Sequence, residues 1–326
     1  MAEVVPRKLS KLEHEMGRET GISWTDATWN PIRGCTRVSE GCRNCYAENV
    51  AYRFSGPGGA YEGLVRIGSD GKRRREWNGE VHFVEKHLLD PLKWKEPRRI
   101  FVNSMSDLFH ENASDETRDK IFAVMTLCPQ HTFQILTKRP QRMADYVDGR
   151  SEPGCDGLRG ALIEGMTQKL YSEQHQEDHS DIAMWLAVPW PLPNVHLGVS
   201  VENRAAKSRI DVLREVPAAL RFLSLEPLLE DLGDLDLSGI GWCIVGGESG
   251  PSARPCNLEW IRSLVDRCQS AGVACWVKQM GPRPYWNTVD HGLVVTDISP
   301  SDRQGAEISE FPACLRVRQF PNKVPA

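Results

Sequence analysis

Between residues 99 and 281 the chain repeats one unit, a short apolar run that ends in a polar cluster. The runs are RIFVNSMSD (99–107), TFQILTKR (132–139), VHLGVSVEN (195–203), LRFLSLEP (220–227), GWCIVGGESG (241–250) and VACWVKQMG (273–281). Each is rich in β-branched or aromatic residues and too short for a helix, so each predicts a buried strand. Helical spacing fills several of the gaps: SDETRDKIFAVMTLC (114–128) with Ser114 as N-cap, NRAAKSRIDVLREV (203–216), and NLEWIRSLVDRCQSAG (257–272) ending on Gly272. Strand and helix in alternation imply a parallel sheet.

The polar tips decide between two such sheets. Ser104, Ser106 and Asp107 end the first run. Lys138 and Arg139, Ser200 and Glu202, Glu226, Glu248 and Lys278 end the others. In a (β/α) barrel all these ends ring one mouth, whereas a doubly wound sheet uses only those at its switch point. Six tipped strands favour the barrel. GISWTDATWNPIRGC (21–35) supplies a first strand and YAENVAYRF (46–54) a first helix. The expectation is an α/β fold, a partial TIM-type barrel of about six to seven parallel strands over residues 21–281. A polar extension (1–20) precedes it and a C-terminal extension (282–326), with a weak strand at GLVVTDI, follows. An insertion at about 148–194, after the third strand, has a helical core near LRGALIEGMTQKLYSE and reads as a candidate lid.

The bulk composition narrows the partners. With 326 residues and a net charge of −4 the chain has no global attraction to nucleic acid. No run reaches the ~20 apolar residues of a membrane span, and MAEVVPRKLSKLEHEMGRE lacks the apolar core of a secretory signal. A cytoplasmic protein with no membrane partner is expected, its ten cysteines reduced. Cys243 and Cys275 lie inside apolar runs and read as core. Trp24, Trp29 and Trp77 read as core rather than as base-stacking platforms.

Three of the cysteines stand apart. Cys35, Cys42 and Cys45 form a CxxxxxxCxxC loop between the first strand and the first helix, hence at the barrel mouth. A structural zinc site takes four protein ligands. No second CxxC exists and no CxxH or HxxxH pair stands nearby, so a fourth ligand would come from afar, from Cys256 or His110. A [4Fe–4S] cluster held by three thiolates keeps one iron open for a ligand.

This arrangement resembles the radical S-adenosylmethionine superfamily, and GCRNCY is similar to the cluster loop of spore photoproduct lyases. More closely, WTDATWNPIRGCTRVSEGCRNCYAE, RRIFVNSMSDLFHE, HTFQILTKRPQRM, VHLGVSVEN and VGGESGPSARP resemble a phage- and prophage-associated family of uncharacterised three-cysteine proteins, over most of residues 21–281. The loop departs from the superfamily's usual CxxxCxxC spacing, and Asn44 replaces the aromatic often found before the last cysteine.

The resemblance implies that Cys35, Cys42 and Cys45 hold a [4Fe–4S] cluster whose fourth iron takes S-adenosylmethionine, which reduction cleaves to a 5′-deoxyadenosyl radical. It implies a reductant protein as partner. NSMSD takes the place of the superfamily's second-strand motif, so Ser104, Ser106 and Asp107 are candidates for the methionine part. Lys138 and Arg139 suit a carboxylate or phosphate, and Ser200, Glu202 and Glu226 a ribose or amine. Glu248 completes the mouth. The superfamily's GGE triplet occurs as Gly246-Gly247-Glu248, but on a later strand, where close ligand approach and a tight turn are equal readings. Tyr46 is a candidate to pack on the cluster, and Lys278 is either a mouth residue or an ion-pair partner.

The relative's DNA-repair role and the basic run Lys72–Arg75 raise a nucleotide or nucleic acid as substrate, against the acidic net charge. Two other readings stand beside this one: a non-enzymatic phage-related protein with a structural zinc or iron–sulfur site, and a barrel hydrolase or lyase using Glu202, Glu226 and Glu248 as acid and base.

Overall fold

The computed structural model describes residues 20–67, 75–149, 159–175, 190–288, 292–295 and 298–321. Seven strands form one parallel sheet: β1 (Ala27–Trp29), β2 (Arg99–Val102), β3 (Thr132–Thr137), β4 (Val195–Ser200), β5 (Leu220–Leu225), β6 (Trp242–Gly246) and β7 (Ala274–Gln279), paired in chain order. The helices are α1 (Tyr46–Arg53), α2 (Asp115–Thr126), α3 (Pro140–Val147), α4 (Arg159–His175), α5 (Ser208–Glu215) and α6 (Leu258–Ser270). Ser114 caps α2 by accepting from the Thr117 N–H, and Asn257 caps α6 by accepting from Glu259. Gly272, just past α6, has φ +65°. The predicted helix at 203–216 is instead a 3-10 turn (Arg204–Ala206) followed by α5.

Two contacts measure the curl of the sheet. At about 4.8 Å per strand, a flat sheet would hold β2 and β6 about 19 Å apart. Yet the Trp24 ring lies 4.7 Å from Phe101 on β2 and 6.0 Å from Trp242 on β6. Phe320 likewise meets Arg99 on β2, at 3.6 Å, and Trp276 on β7, at 4.4 Å. The result is a partial barrel, as the alternation predicts.

Period-two alternation builds its two layers. Outward residues such as Ile100, Val102, Ile135, Leu223, Val245 and Val277 pack under the helices in the main core. Inward residues Phe101, Phe222, Trp242, Ile244 and Trp276 join Trp24 in an aromatic plug that fills the lower barrel. Gly198 makes room for it, because a Cβ there would sit 2.5 Å from the Phe222 ring. Trp24, Trp29 and Trp77 are all buried.

The described part of the insertion is anchored away from the mouth. Arg159, at the start of α4, is buried and pairs with Asp115 at 3.0 Å and Asp119 at 2.9 Å, both on α2. Asp119 also accepts from the Tyr146 hydroxyl at 2.8 Å. Such a buried network fixes α4 to the outside of the barrel, and no α4 residue lines the mouth. Residues 150–158 and 176–189 lie outside the described residues, as do 1–19 and Lys72, Arg73 and Arg74. The tail is more ordered than its sequence suggested: Val317 and Gln319 pair with Val277 and Cys275, covering the edge of β7. Strand Gly292–Val295 joins a small sheet with Pro284–Thr288 and Cys256–Asn257. Among the described residues no helix is long and apolar enough to cross a membrane.

Candidate metal centre at the barrel mouth

The cysteine loop begins with a forced turn. Gly34 has φ +97°, and a Cβ there would fall 2.1 Å from the Glu80 carbonyl oxygen, so only glycine fits. Cys35 follows at once, Cys42 closes a short 3-10 turn (Glu40–Cys42), and Cys45 stands at the N-cap of α1. All three are free, half-buried thiols that line one cavity at the barrel mouth. Tyr61, Leu64, Trp77 and Met105 back Cys35 and Cys45 with an apolar wall. Burial, with the Asp107 charge, pushes the Cys35 thiol up to about 12 despite nearby Arg139. Burial and the Glu48 charge also raise Cys45, although N–H groups of Ala47 and Glu48 point at its sulfur.

Each cysteine has its own anchor from a strand tip. Beside Cys35, Arg139 after β3 donates through Nη2 to Thr36 Oγ1 at 2.5 Å, through Nη1 to Asp107 at 3.0 Å, and through Nε to Glu111 at 2.8 Å. Beside Cys42, Glu202 after β4 accepts from the Gly41 N–H at 3.4 Å and from Arg209 at 2.9 Å. Beside Cys45, Glu248 after β6 accepts from Asn44 Nδ2 at 2.9 Å and from Arg254 at 2.6 Å, and Arg254 reaches on to Glu40. Burial pushes both carboxyls up, but the Ser39 bond, the Lys138 charge and Arg209 for Glu202, and bonds to Arg254 and Asn44 for Glu248, outweigh it. Both end below the ordinary range. Charged hydrogen bonds of this kind are the strong ones.

Four residues nominated as ligand-binding are therefore already engaged by protein. Asp107 accepts from Thr137 Oγ1, the Lys138 and Phe109 N–H groups and Arg139. Arg139, Glu202 and Glu248 hold the loop, and Glu202 does not line the cavity. Ser106 donates to the Ile32 carbonyl and Ser104 to Asn30, so those hydroxyls keep only acceptor capacity. Glu226 and Lys278 both face the cavity and pair with each other at 2.7 Å. What remains unspent is compact. Among the described residues the Lys138 ammonium and the hydroxyls of Ser200 and Ser224 make no protein hydrogen bond, although the Lys138 charge acts on Glu202, and all three line the cavity.

Asn103, which the sequence reading passed over, is the most pointed of the group. It sits at the end of β2 with φ +59°, is 3% exposed, and its Nδ2 is buried without a partner while the residue lines the cavity. A non-glycine residue in that conformation beside a cavity is a candidate functional position, although asparagine adopts it more readily than other residues. Asn30, Arg209 and Arg254 were also unforeseen. The ring of Tyr46 is exposed at the mouth, and its hydroxyl donates to the Ser104 carbonyl at 2.8 Å. Gly247 answers the glycine question: a Cβ there would meet the Met280 carbonyl oxygen at 2.5 Å, so backbone packing requires it.

The distant zinc ligands do not reach the loop thiols. His110 accepts from the Asn112 N–H on Nδ1, so Nε2 carries the proton and donates to Thr36 at 3.0 Å. Cys256 is buried behind Gly247 and does not line the cavity. Among the described residues no three His, Cys, Asp or Glu side chains converge to hold a single metal ion. Three thiols on an apolar backing are the groups that a four-iron cluster would use. A broader groove between residues 235–238 and α6 has its arginines paired, Arg262 with Glu259 and Arg267 with Asp234.

A family model described as "Protein of unknown function (DUF5131)" matches residues 19–311, and the chain belongs to that family. No curated protein and no solved structure matches it.

Proposed function

For this DUF5131 chain we propose an iron–sulfur enzyme of the radical S-adenosylmethionine type, acting on a substrate that enters the barrel mouth. One observation carries the reading: three separately anchored thiols share a cavity with polar groups that make no protein hydrogen bond. Cys35, Cys42 and Cys45 would hold the cluster. Unpaired polar groups in a desolvated site are costly unless a ligand meets them. Asn103 Nδ2 and the Lys138 ammonium are donors suited to a carboxylate. The oxygens of Ser104, Ser106, Ser200 and Ser224 suit an amine or a ribose.

When bound and reduced, such a cluster supplies the electron that cleaves the sulfonium of S-adenosylmethionine. The protein's own part is to fix the thiols, orient the cofactor and exclude water through the aromatic plug below. A reductant protein would deliver the electron, and the exposed faces of Val38 and Tyr46 stand beside the cysteine loop.

The test is anaerobic reconstitution with iron and sulfide, reduction, addition of S-adenosylmethionine and assay for 5′-deoxyadenosine. Formation by wild type and loss in Cys35→Ala, Cys42→Ala and Cys45→Ala supports the reading. Uptake of zinc alone, or a cluster that never cleaves the cofactor, transfers support to a structural metal site.

A further inference from the structure

The three thiols stand in different electrostatic settings. Cys42 has the Ser39 hydroxyl 4.0 Å away, and Cys45 has N–H groups from the start of α1. Cys35 has a cation in contact with it, Arg139 Nη1 4.0 Å from its sulfur, whereas Cys45 interacts with the Arg37 charge only through space. Arg139 is 6% exposed and its guanidinium cannot swing away, because Asp107, Glu111 and Thr36 hold its other hydrogens.

We propose that Arg139 is a tuning residue that raises the reduction potential of the metal centre held by Cys35, Cys42 and Cys45. The inference rests on the iron–sulfur reading above and adds to it a role for one side chain. Reduction adds negative charge to a cluster, and a fixed cation near a ligand sulfur in a poorly solvated place stabilises the reduced form. Of the two carboxylates on Arg139, Asp107 is buried and committed to three other donors, while Glu111 is 51% exposed. Glu111 therefore offers a lever that leaves the anchor in place. Removing its charge leaves the guanidinium less compensated and should move the potential upward.

The experiment is a potentiometric titration of anaerobically reconstituted protein, followed by electron paramagnetic resonance and visible absorption, with iron content measured alongside. Arg139→Gln is expected to shift the potential negative by about tenfold in the reduction equilibrium, about 59 mV for one electron. Glu111→Gln is expected to shift it positive with unchanged iron content. If Arg139→Gln loses its cluster because the loop is released, the Glu111→Gln shift decides. A cluster whose potential is unmoved in Glu111→Gln, or moves negative, overturns this inference alone. A wild-type chain that assembles no iron–sulfur cluster overturns the preceding reading and this one together.

Discussion

Replacing Glu202 with alanine should destabilise the metal-free protein by about 3–5 kcal/mol, the usual cost of breaking a buried ion pair from one side. The carboxylate is 0% exposed, and its loss strands the Arg209 guanidinium, which is itself mostly buried. The Gly41 N–H loses its acceptor as well, but it faces the half-buried loop, where water can enter, so the lower half of the range is expected. Against a total stability of about 5–15 kcal/mol that is a large fraction. Glu202→Gln keeps the oxygen for Gly41 and should cost less. Replacing both partners with methionine should recover most of the loss, because no buried charge is then left alone. Urea unfolding of reduced, metal-free protein measures all three variants. A loss below about 1 kcal/mol for Glu202→Ala, or a double variant no better than the single one, would refute the idea that this pair lashes the loop to β4.

Gly34→Ala should unfold the start of the loop, since its methyl group has no room beside Glu80, and iron retained per chain after reconstitution should fall sharply. Full iron content would show that the turn is not required. Burial holds His110, His131 and His196 below their ordinary values, His196 at about 4. The folded values lie below the unfolded one, so the unfolded chain binds more protons in acid. Stability of the metal-free protein should be full above about pH 6.5 and decline as the pH falls toward 4. Equal urea midpoints at pH 7 and pH 5 would contradict this.

The barrel was legible because it rests on local signals: apolar runs of strand length, capped helices between them and polar residues at every strand end. The position of the three cysteines followed from the same reading. What the polar tips do was not legible, because a glutamate at a strand end looks the same whether it awaits a ligand or a loop. Glu202 and Glu248 find partners about 160 and 200 residues away in the chain, and only the folded path of residues 36–44 decides that. Helix α3 did carry a signal, Pro140 at its first position, which the preceding apolar run obscured. Asn103 shows nothing in sequence, since its backbone conformation and its unpartnered amide exist only in the fold. The strand-like pairing of Val317–Gln319 depends on an open edge at β7 that the polar tail does not announce.

The most direct test of the central claim is the electron paramagnetic resonance spectrum of the reduced, reconstituted protein, recorded with and without S-adenosylmethionine. A four-iron signal that changes when the cofactor is added, and that is absent in Cys42→Ala, is the predicted result. A protein that carries only zinc, or a cluster whose spectrum is indifferent to the cofactor, would contradict it.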